Sequence, residues 1–409
     1  MYRNDAKGDL TEGRFTFLGY DFDYVEATAH FYYQGAEGTQ FHEVVKFQKP
    51  ENDYDHEVLD RVMFLAFGLV GTSYYKARPT REVLFFDALD EFQARFFNTV
   101  YQEGLSQFAY ENHLTREDLA EFKATEEYVA PEAVEYQGRG RVVMESGGKD
   151  SLLTASLLSE EGKGFTPVFV SSNGKYPKVL DGLGHKVKVI TRKIDSEGLR
   201  AASGMNGHVP VTYIVQTLAL LQAVLDNKRE VLTSIGKEGV EANTEIGDLA
   251  VNHQWSKTEE AETLYNEYVH RYIAKEIVVR SPLRKYTELE IAKMFAEKCW
   301  EKYGEKFSSC NVANYRQGEM AEELSWCGKC AKCANSYLLF CPYVEAEAQK
   351  GLFGGRDLFE DEDLTEIFKG LLGKEGVMKP FECVGTVAEL NEAYRNKLTG
   401  YGTIRSNHG

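Results

Sequence analysis

A short segment at residues 146–151 reads SGGKDS and has the residue types of a phosphate-binding loop. Its two adjacent glycines allow the backbone to turn tightly and to approach an oxyanion. A helical pattern follows at once, and the free N–H groups at a helix start favour bound phosphate. Lys149 supplies a positive charge, and Asp150 either caps the helix or helps to hold Mg²⁺. The spacing matches neither the Walker loop nor the dinucleotide-binding glycine pattern.

Four of the seven cysteines lie between positions 310 and 333. In a chain without an export signal, clustered cysteines favour metal binding over disulfides. Cys327, Cys330 and Cys333 form a C-x-x-C-x-x-C pattern, and with Cys310 they predict a closed tetrahedral zinc site. An iron–sulfur cluster and reduced thiols without metal are the alternatives. Cys341 competes with Cys310 as the fourth ligand.

Four side chains are candidates for acid–base chemistry, namely His208, His253, Lys237 and Lys257. Lys237 follows a predicted strand, where ligands collect in parallel sheets. His208 lies at the start of a predicted helix, where it could simply be a cap. His253 and Lys257 are four positions apart and would share one face of a helix. A structural role stays open for each of them.

Two further residues follow predicted strands and so join the candidate nucleotide site. Asn173 comes after the second strand of the core, and Gly236 comes after the fourth. The predicted nucleotide-binding residues are Ser146, Gly147, Gly148, Lys149, Asp150, Ser151, Asn173 and Gly236. The predicted catalytic residues are Lys149, Asp150, His208, Lys237 and Lys257. Alanine at Lys149 or Asp150 is expected to abolish activity without unfolding the chain.

The elements that position these residues form a strand–helix alternation in the middle of the chain. Such an alternation predicts an α/β fold with a parallel sheet and helices on both faces. Strands are predicted at 141–145, 165–171, 186–191, 230–235 and 276–280, and helices at 150–161 and 209–225. We expect an N-terminal α+β module at 1–125, a linker at 126–140, a core that carries the phosphate-binding loop at 141–300 and a Cys-rich helical or irregular region at 301–409.

Composition limits the classes of partner. The net charge is −17, which argues against a general nucleic-acid binder. No run approaches the roughly 20 apolar residues of a membrane span, and the first ten residues lack the apolar region of a signal peptide. We therefore expect a soluble cytoplasmic protein that binds neither nucleic acid nor membrane.

The segment at 146–151 resembles the S-G-G-x-D-S loop of the N-type ATP pyrophosphatases, the PP-loop superfamily. The resemblance implies that ATP and Mg²⁺ bind here and that the loop holds the pyrophosphate while it leaves. A substrate oxygen would attack the α-phosphorus, so the products would be AMP and pyrophosphate. Catalysis would then consist mainly of positioning and of stabilising charge on the phosphates.

Five further segments narrow the resemblance to one family. They look like segments of the ATP-dependent UDP-N-acetylmuramoyl-L-alanyl-L-glutamate epimerases of peptidoglycan synthesis, over about residues 15 to 390. The segments are GTSYYKA at 71–77, NGHVPVT at 206–212, VNHQWSK at 251–257, WCGKC at 326–330 and KPFECVG at 379–385. One departure is EANT at 241–244, where an arginine-containing stretch is expected.

This resemblance implies a UDP-N-acetylmuramoyl-dipeptide substrate whose terminal L-glutamate is inverted through an acyl-adenylate. The α-proton is hard to remove beside an ionised carboxylate, and adenylylation removes that charge. Two alternatives are open. One is another PP-loop adenylylating enzyme that forms an amide or nitrile or thiolates its substrate, like 7-cyano-7-deazaguanine synthase. The other is a non-catalytic protein with a degenerate nucleotide site.

Overall fold

A nine-stranded sheet organises the molecule in the computed structural model, which describes residues 13–316 and 319–402. The spatial order of its strands is β11-β8-β5-β6-β7-β3-β2-β1-β4, and two short hairpins, β9–β10 and β12–β13, lie outside it. The strands are β1 (Phe15–Asp23), β2 (Thr28–Gln34), β3 (Gln40–Lys46), β4 (Val83–Phe85), β5 (Arg141–Met144), β6 (Thr166–Ser171), β7 (Lys188–Lys193), β8 (Glu230–Leu232), β9 (Thr244–Ile246), β10 (Leu249–Val251), β11 (Val278–Arg280), β12 (Tyr315–Arg316) and β13 (Glu319–Met320).

Fifteen α-helices accompany these strands in the described part of the chain. They are α1 (His56–Val70), α2 (Thr72–Tyr75), α3 (Glu91–Gln102), α4 (Ser106–Glu111), α5 (Lys149–Glu160), α6 (Ser196–Ala202), α7 (Val211–Leu225), α8 (Glu259–Tyr272), α9 (Glu288–Lys298), α10 (Trp300–Tyr303), α11 (Asn311–Asn314), α12 (Ala331–Phe340), α13 (Ala346–Gly351), α14 (Thr365–Leu371) and α15 (Val387–Arg395). Among these described helices, none has both the length and the apolar character that crossing a bilayer requires.

The parallel half of the sheet consists of β11, β8, β5, β6 and β7, in that order. Each connection between successive strands of this half contains at least one helical segment, which is the arrangement that a βαβ repeat imposes. The predicted α/β core with a parallel sheet is confirmed. Because all five strands run in the same direction, the loops after their carboxyl ends meet at one edge of the sheet.

The N-terminal strands extend the same sheet in antiparallel fashion. The alternating aromatic residues of the N-terminal segment predict strands of a hairpin or meander. In the structure β1, β2 and β3 form an antiparallel meander, and β3 pairs with β7 of the parallel half. Alternating Phe and Tyr side chains on β1 and β2 point to one face and are fully buried there, with α1 packed over them. The division of the chain at 126–140 stays a prediction.

The sequence spacing at about 89–122 predicts one helical region, which is interrupted in the structure. α3 begins at a capping box formed by Asp90 and Gln93 and ends at Gln102, and α4 is a separate short helix. Gly104 lies between them, where a Cβ atom would stand 2.4 Å from the Val100 carbonyl oxygen. The break therefore depends on a glycine that lets the backbone pass close to the preceding turn.

A second hydrophobic core holds the C-terminal region against the parallel sheet. Helices α9, α12, α14 and α15 pack together, and α9 also packs on α5, which follows the 146–151 loop. The Cys-rich segment therefore lies next to this loop. The first ten residues, which argued against an export signal, lie outside the described part of the chain.

Candidate functional site

A cavity of about 470 Å³ opens beyond the carboxyl ends of β5, β6 and β8. Its walls bring together the loop at 146–151, the predicted base candidates and several residues of the C-terminal region. The polar residues around it include Glu145, Ser146, Asp150, Ser151, His208, Thr233, Ser234, His253, Lys257, Asn311, Lys332, Glu382 and Cys383. The position of this cavity agrees with the rule that ligands of parallel sheets bind at strand ends.

The 146–151 loop has the backbone geometry that an oxyanion needs. Gly147 adopts a left-handed φ of +77°, which favours glycine. The Ser146 N–H donates to Ser151 Oγ at 3.2 Å, and the Gly148 N–H donates to Ser146 Oγ at 3.3 Å. Helix α5 then begins with Gly148 as its N-cap and without a side-chain cap, so its first N–H groups remain available to an anion.

Lys149 lies in a buried ion-pair network behind the loop. Its Nζ stands 2.5 Å from Asp150 Oδ1 and 2.6 Å from Glu288 Oε2, and only 8% of its side chain is exposed. Burial disfavours the charged form, but the two carboxylates together hold the pKa of Lys149 above its ordinary value. Lys149 is therefore a cation that ties the first turn of α5 to the start of α9.

Glu145 is a buried carboxyl group that directly precedes the loop. Neither of its side-chain oxygens has a hydrogen-bond partner among the described residues. Burial raises the pKa of Glu145 to about 8, although the neighbouring Ser151 side chain acts to lower it. At neutral pH the group is mostly protonated and can donate a hydrogen bond to a ligand in the cavity.

Two histidines from distant segments lie against each other in the cavity wall. The ring centroids of His208 and His253 are 4.4 Å apart. Gln107 orients the second ring, because its Oε1 lies 2.6 Å from His253 Nδ1 while its Nε2 donates to Glu111 at 2.7 Å. An amide oxygen only accepts, so Nδ1 of His253 carries the proton and Nε2 has a free lone pair.

Both histidines are neutral at physiological pH. The pKa of His208 is lowered to about 3, mainly by burial and additionally by the neighbouring His253. Burial also lowers the pKa of His253 to about 4, although Glu382 opposes the change. A neutral imidazole with one free nitrogen can accept a proton without first losing one.

Lys257 supplies a positive charge to the same cavity. Its Nζ lies 2.8 Å from the buried carboxylate of Glu238. Burial lowers the pKa of Lys257, but its electrostatic interactions with Cys383 and Glu238 outweigh this and hold it well above the ordinary value. The sulfur of Cys383 therefore lies within electrostatic reach of a fixed ammonium group.

Five predicted site residues are not in the lining of this cavity, namely Gly147 and Lys149 within the loop and three residues outside it. Lys237 has an exposed side chain, and its backbone N–H donates to Tyr286 O at 2.8 Å. Gly236 is buried against Ile291, where a Cβ atom would stand 2.6 Å from Cδ1. The Asn173 side chain accepts from the backbone N–H of Lys175 at 3.0 Å and so closes the turn after β6. The Lys237 side chain points away from the cavity, because the chain turns toward α9 at this position.

The cysteine group has the geometry of a single-ion site. The Sγ atoms of Cys310, Cys327, Cys330 and Cys333 all lie within 4.8 Å of one another, and three of the pairs are 3.6 to 3.7 Å apart. Zinc with Zn–S bonds of about 2.3 Å would hold its four sulfurs about 3.8 Å apart. Disulfides require about 2.05 Å. The thiolates of a four-iron cluster each bind a different iron and lie farther apart.

Cys341 is not part of this group. Its Sγ donates to the Leu338 carbonyl oxygen at 3.1 Å inside the C-terminal core. Cys310 is therefore the fourth sulfur of the group. The segment around it also contacts the 146–151 loop, since the Ser308 N–H donates to Gly147 O at 3.3 Å. Asn311 of the same segment lines the cavity. A metal in the cysteine group would thus fix one wall of the site.

Sequence reasoning missed several residues of this site, and three of them bear on its chemistry. Glu145 carries a signal, because it is the last residue of a predicted strand that leads into the loop. Cys383 lies in the segment KPFECVG, which marked the family resemblance but not the chemistry. Gln107 carries no signal at all, since its role depends on a contact across 146 positions.

Comparisons with known proteins identify the family of the chain. A family model described as the MurL N-terminal domain matches residues 8–280, and one described as the MurL C-terminal domain matches residues 306–399. Three curated relatives share the name UDP-N-acetyl-alpha-D-muramoyl-L-alanyl-L-glutamate epimerase. A relative from a Micromonospora species is 34% identical over 92% of this chain and 84% of its own length. One from Salinispora tropica is 32% identical over 92% and 82%, and one from Xanthomonas oryzae pv. oryzae is 31% identical over 80% and 72%.

A solved structure titled "Structure of NMN synthetase from Francisella tularensis" matches 65% of this chain and 90% of that chain. The sequence identity is 13% and the TM-score is 0.26, which is too low to support a conclusion.

Proposed function

The chain belongs to the MurL family, and on this premise we propose that it is an ATP-dependent epimerase that acts on UDP-N-acetylmuramoyl-L-alanyl-L-glutamate in the cytoplasm. It converts the terminal L-glutamate to D-glutamate for peptidoglycan synthesis. ATP is cleaved between its α and β phosphates, and AMP and pyrophosphate are released. The same enzyme thereby activates the substrate and inverts it.

The chemistry begins with the free α-carboxylate of the terminal glutamate. Removing the α-proton beside an ionised carboxylate would place a carbanion next to an existing negative charge. Attack of a carboxylate oxygen on the α-phosphorus of ATP gives a mixed anhydride, which removes that charge and offers a carbonyl group as electron acceptor. Hydrolysis of the anhydride after inversion releases the product and AMP.

The 146–151 loop supports the first step. The uncapped N–H groups of α5 and the positive φ of Gly147 suit a bound pyrophosphate group. Asp150 lines the cavity and would hold Mg²⁺, which neutralises phosphate charge when it is bound. Lys149 acts from behind the loop, where its charge stabilises the negative charge that develops on the leaving group.

The wall formed by β6 and α7 suits the nucleoside end of ATP. Val168, Val211 and Val215 provide apolar surface there. Glu145 and Thr233 contribute buried side-chain oxygens without partners among the described residues. Since buried polar groups are normally hydrogen-bonded, these oxygens are suited to bind the polar edge of a base or the ribose hydroxyls.

His253 is the group best placed to take the α-proton. Its ring is neutral, its tautomer is set by Gln107, and its free Nε2 belongs to a residue of the cavity wall. Lys257 provides a positive charge near the enolate that forms when the proton leaves. His208 packs against His253 and keeps its neighbour desolvated.

The four-cysteine group would hold one zinc ion with a structural role. All four tetrahedral positions are occupied by sulfur, so no coordination position is left for a substrate. The ion would supply rigidity to the segment that contacts the phosphate loop.

The observation that carries the proposal is that one cavity holds both a phosphate loop and an oriented, neutral histidine. The test incubates the purified protein with UDP-N-acetylmuramoyl-L-alanyl-L-glutamate, ATP and Mg²⁺ in D₂O. We expect AMP, pyrophosphate and D-glutamate with deuterium at its α-carbon, and no product without ATP. Formation of ADP, or a stable amide or nitrile in place of D-glutamate, would contradict the proposal.

A further inference from the structure

Inversion at a carbon atom requires that a proton leaves one face and that another arrives at the opposite face. A single base that both removes and returns the proton works from one side only, so a stereospecific exchange at the second face needs another group. His253 supplies one of the two groups in the proposed function. The second must be a proton donor that lines the same cavity.

Cys383 lines the cavity and is half-buried there. Of the other six cysteines, four form the four-cysteine group described above, while Cys299 and Cys341 lie in the C-terminal core. A thiol transfers protons to and from carbon readily, because its sulfur is polarisable and its pKa lies close enough to neutral for the thiolate to form in water. Cys383 therefore differs from every other cysteine of the chain in its access to a ligand.

Hydrogen bonds on both sides hold the segment that carries Cys383. Asn243 Nδ2 donates to the carbonyl oxygens of Lys379 and Pro380 at 3.2 and 3.1 Å. Gln254 Nε2 donates to Val384 O at 3.1 Å. The sulfur is thus positioned by a fixed backbone, and one of its anchors is the residue directly after His253.

The two proton-transfer candidates come from different parts of the chain. His253 lies within the part matched by the N-terminal domain model, and Cys383 lies within the part matched by the C-terminal one. The cavity is formed where these parts meet. A substrate carbon between them would meet one group from each part.

Lys257 provides the charge partner that a thiolate would need. Lys257 and Cys383 line the same cavity, and the ammonium group already forms an ion pair with Glu238 at 2.8 Å. By the same attraction, the ammonium stabilises the sulfur anion that remains after a proton has been given away.

We propose that Cys383 is the second proton-transfer residue, which delivers a proton to the glutamate α-carbon on the face opposite to His253. This inference rests on the proposed function. It assigns a catalytic role to a cysteine that is not part of the four-cysteine group.

The step is balanced as follows. The α-C–H bond breaks, its proton goes to Nε2 of His253, and the electron pair moves into the carbonyl group of the acyl-adenylate to give an enolate. The enolate electrons then form a new C–H bond with the proton of the Cys383 thiol, and a thiolate remains. Transfer of a proton from the imidazolium to the thiolate restores both residues.

The test compares Cys383→Ala and Cys383→Ser with the wild type and with Cys299→Ala, which removes a buried thiol outside the cavity. The reaction is run with the nucleotide-linked L-Ala-L-Glu substrate, ATP and Mg²⁺ in D₂O. In both Cys383 variants we expect D-glutamate formation to fall at least about 100-fold. Hydroxylamine should still trap the acyl-adenylate as a hydroxamate, and recovered L-glutamate should contain α-deuterium because His253 still exchanges the proton.

Either of two results would overturn the inference. One is D-glutamate formation by Cys383→Ala within about threefold of the wild-type rate. The other is loss of both hydroxamate and α-deuterium, which would assign Cys383 a structural role or a role in adenylylation. Failure of the proposed function would be visible separately, because the wild type and Cys299→Ala would then form no D-glutamate either.

Discussion

The positive charge of Lys149, a residue of the 146–151 loop, also stabilises the fold. Its ammonium group is buried between Asp150 and Glu288, so removing it leaves Glu288 buried without its cation. The structure therefore changes the expectation that alanine at this position leaves the chain folded. For Asp150, whose side chain is partly exposed, the expectation stands.

We predict that Lys149→Ala lowers the free energy of unfolding by about 3–5 kcal/mol, because one partner of a buried ion pair is lost. Lys149→Met combined with Glu288→Gln should recover most of this loss and remain inactive toward ATP. Urea denaturation and an AMP assay measure the two effects. Lys163→Ala, which breaks an exposed pair with Glu161, should cost less than about 1 kcal/mol. ATP cleavage by the double variant would contradict the role of Lys149.

The two cavity histidines predict how stability depends on pH. In the folded chain their pKa values are lowered to about 3 and about 4, whereas the unfolded chain titrates near about 6.5. Between these values the unfolded state binds more protons, so stability decreases as the pH falls from about 6.5 to about 4. Replacing His208 and His253 by Asn should make this decrease smaller in denaturation curves. An equal decrease in both proteins would contradict the neutral state of the histidines.

At the residue scale, sequence reasoning succeeds where a side chain acts in its local context. The four cysteines share a short pattern and lie together, and most residues of the 146–151 loop line one cavity. It fails for Gln107 and Glu145, because orientation of a ring and burial of a carboxyl group depend on neighbours distant in the chain. Lys237 shows the opposite error, since a position after a strand does not decide where its side chain points.

At the element scale, the turn between β5 and α5 depends on Gly147. Its φ is +77°, and a Cβ atom there would stand 2.7 Å from Leu324 Cδ1 and 3.0 Å from Val179 Cγ1. Any side chain must therefore move either the loop or the wall that the C-terminal region places against it.

We predict that Gly147→Ala weakens ATP binding at least about tenfold, because the loop can no longer adopt its anion-binding shape. Gly162→Ala is a matched control just after the same helix, with a φ of +64° and no atom within 4 Å of the added Cβ. Both variants carry left-handed strain of about 1–2 kcal/mol. Calorimetric titration with a non-cleavable ATP analogue should separate them, and equal affinities would argue against the loop geometry.

The cysteine group makes a second prediction at this scale. The wild type should contain one zinc ion per chain by elemental analysis, and Cys327→Ser should lose it together with thermal stability and activity. Cys341→Ala removes another buried thiol but should keep the zinc, because its sulfur bonds to the Leu338 carbonyl oxygen. Loss of zinc in both variants, or in neither, would contradict the assigned ligand set.

Strands and helices with strong periodicity are the elements that the sequence predicts well. β1 to β3 and α7 are examples, since alternating aromatics and a long apolar run each leave one conformation that buries them. The β9–β10 hairpin was not predicted, because its three-residue strands are too short to show a period. The break between α3 and α4 was missed because it depends on a close contact.

For the whole molecule, the sequence predicts the parallel core but not the way the ends of the chain complete it. The N-terminal strands continue the same sheet through the β3–β7 pair, and the segment at 379–385 closes the cavity from the far end of the sequence. Both features are long-range pairings that no local pattern encodes. The site is therefore a property of the assembled chain.

The coupling of ATP cleavage to inversion is tested most directly by following oxygen. The substrate is prepared with ¹⁸O in the α-carboxylate of its terminal L-glutamate and is incubated with ATP and Mg²⁺ in unlabelled water. If a carboxylate oxygen attacks the α-phosphorus and the mixed anhydride is later hydrolysed at its carbonyl carbon, mass spectrometry will find one ¹⁸O atom in AMP for each D-glutamate formed. AMP without label, or label-free inversion accompanied by ADP, would contradict the acyl-adenylate route.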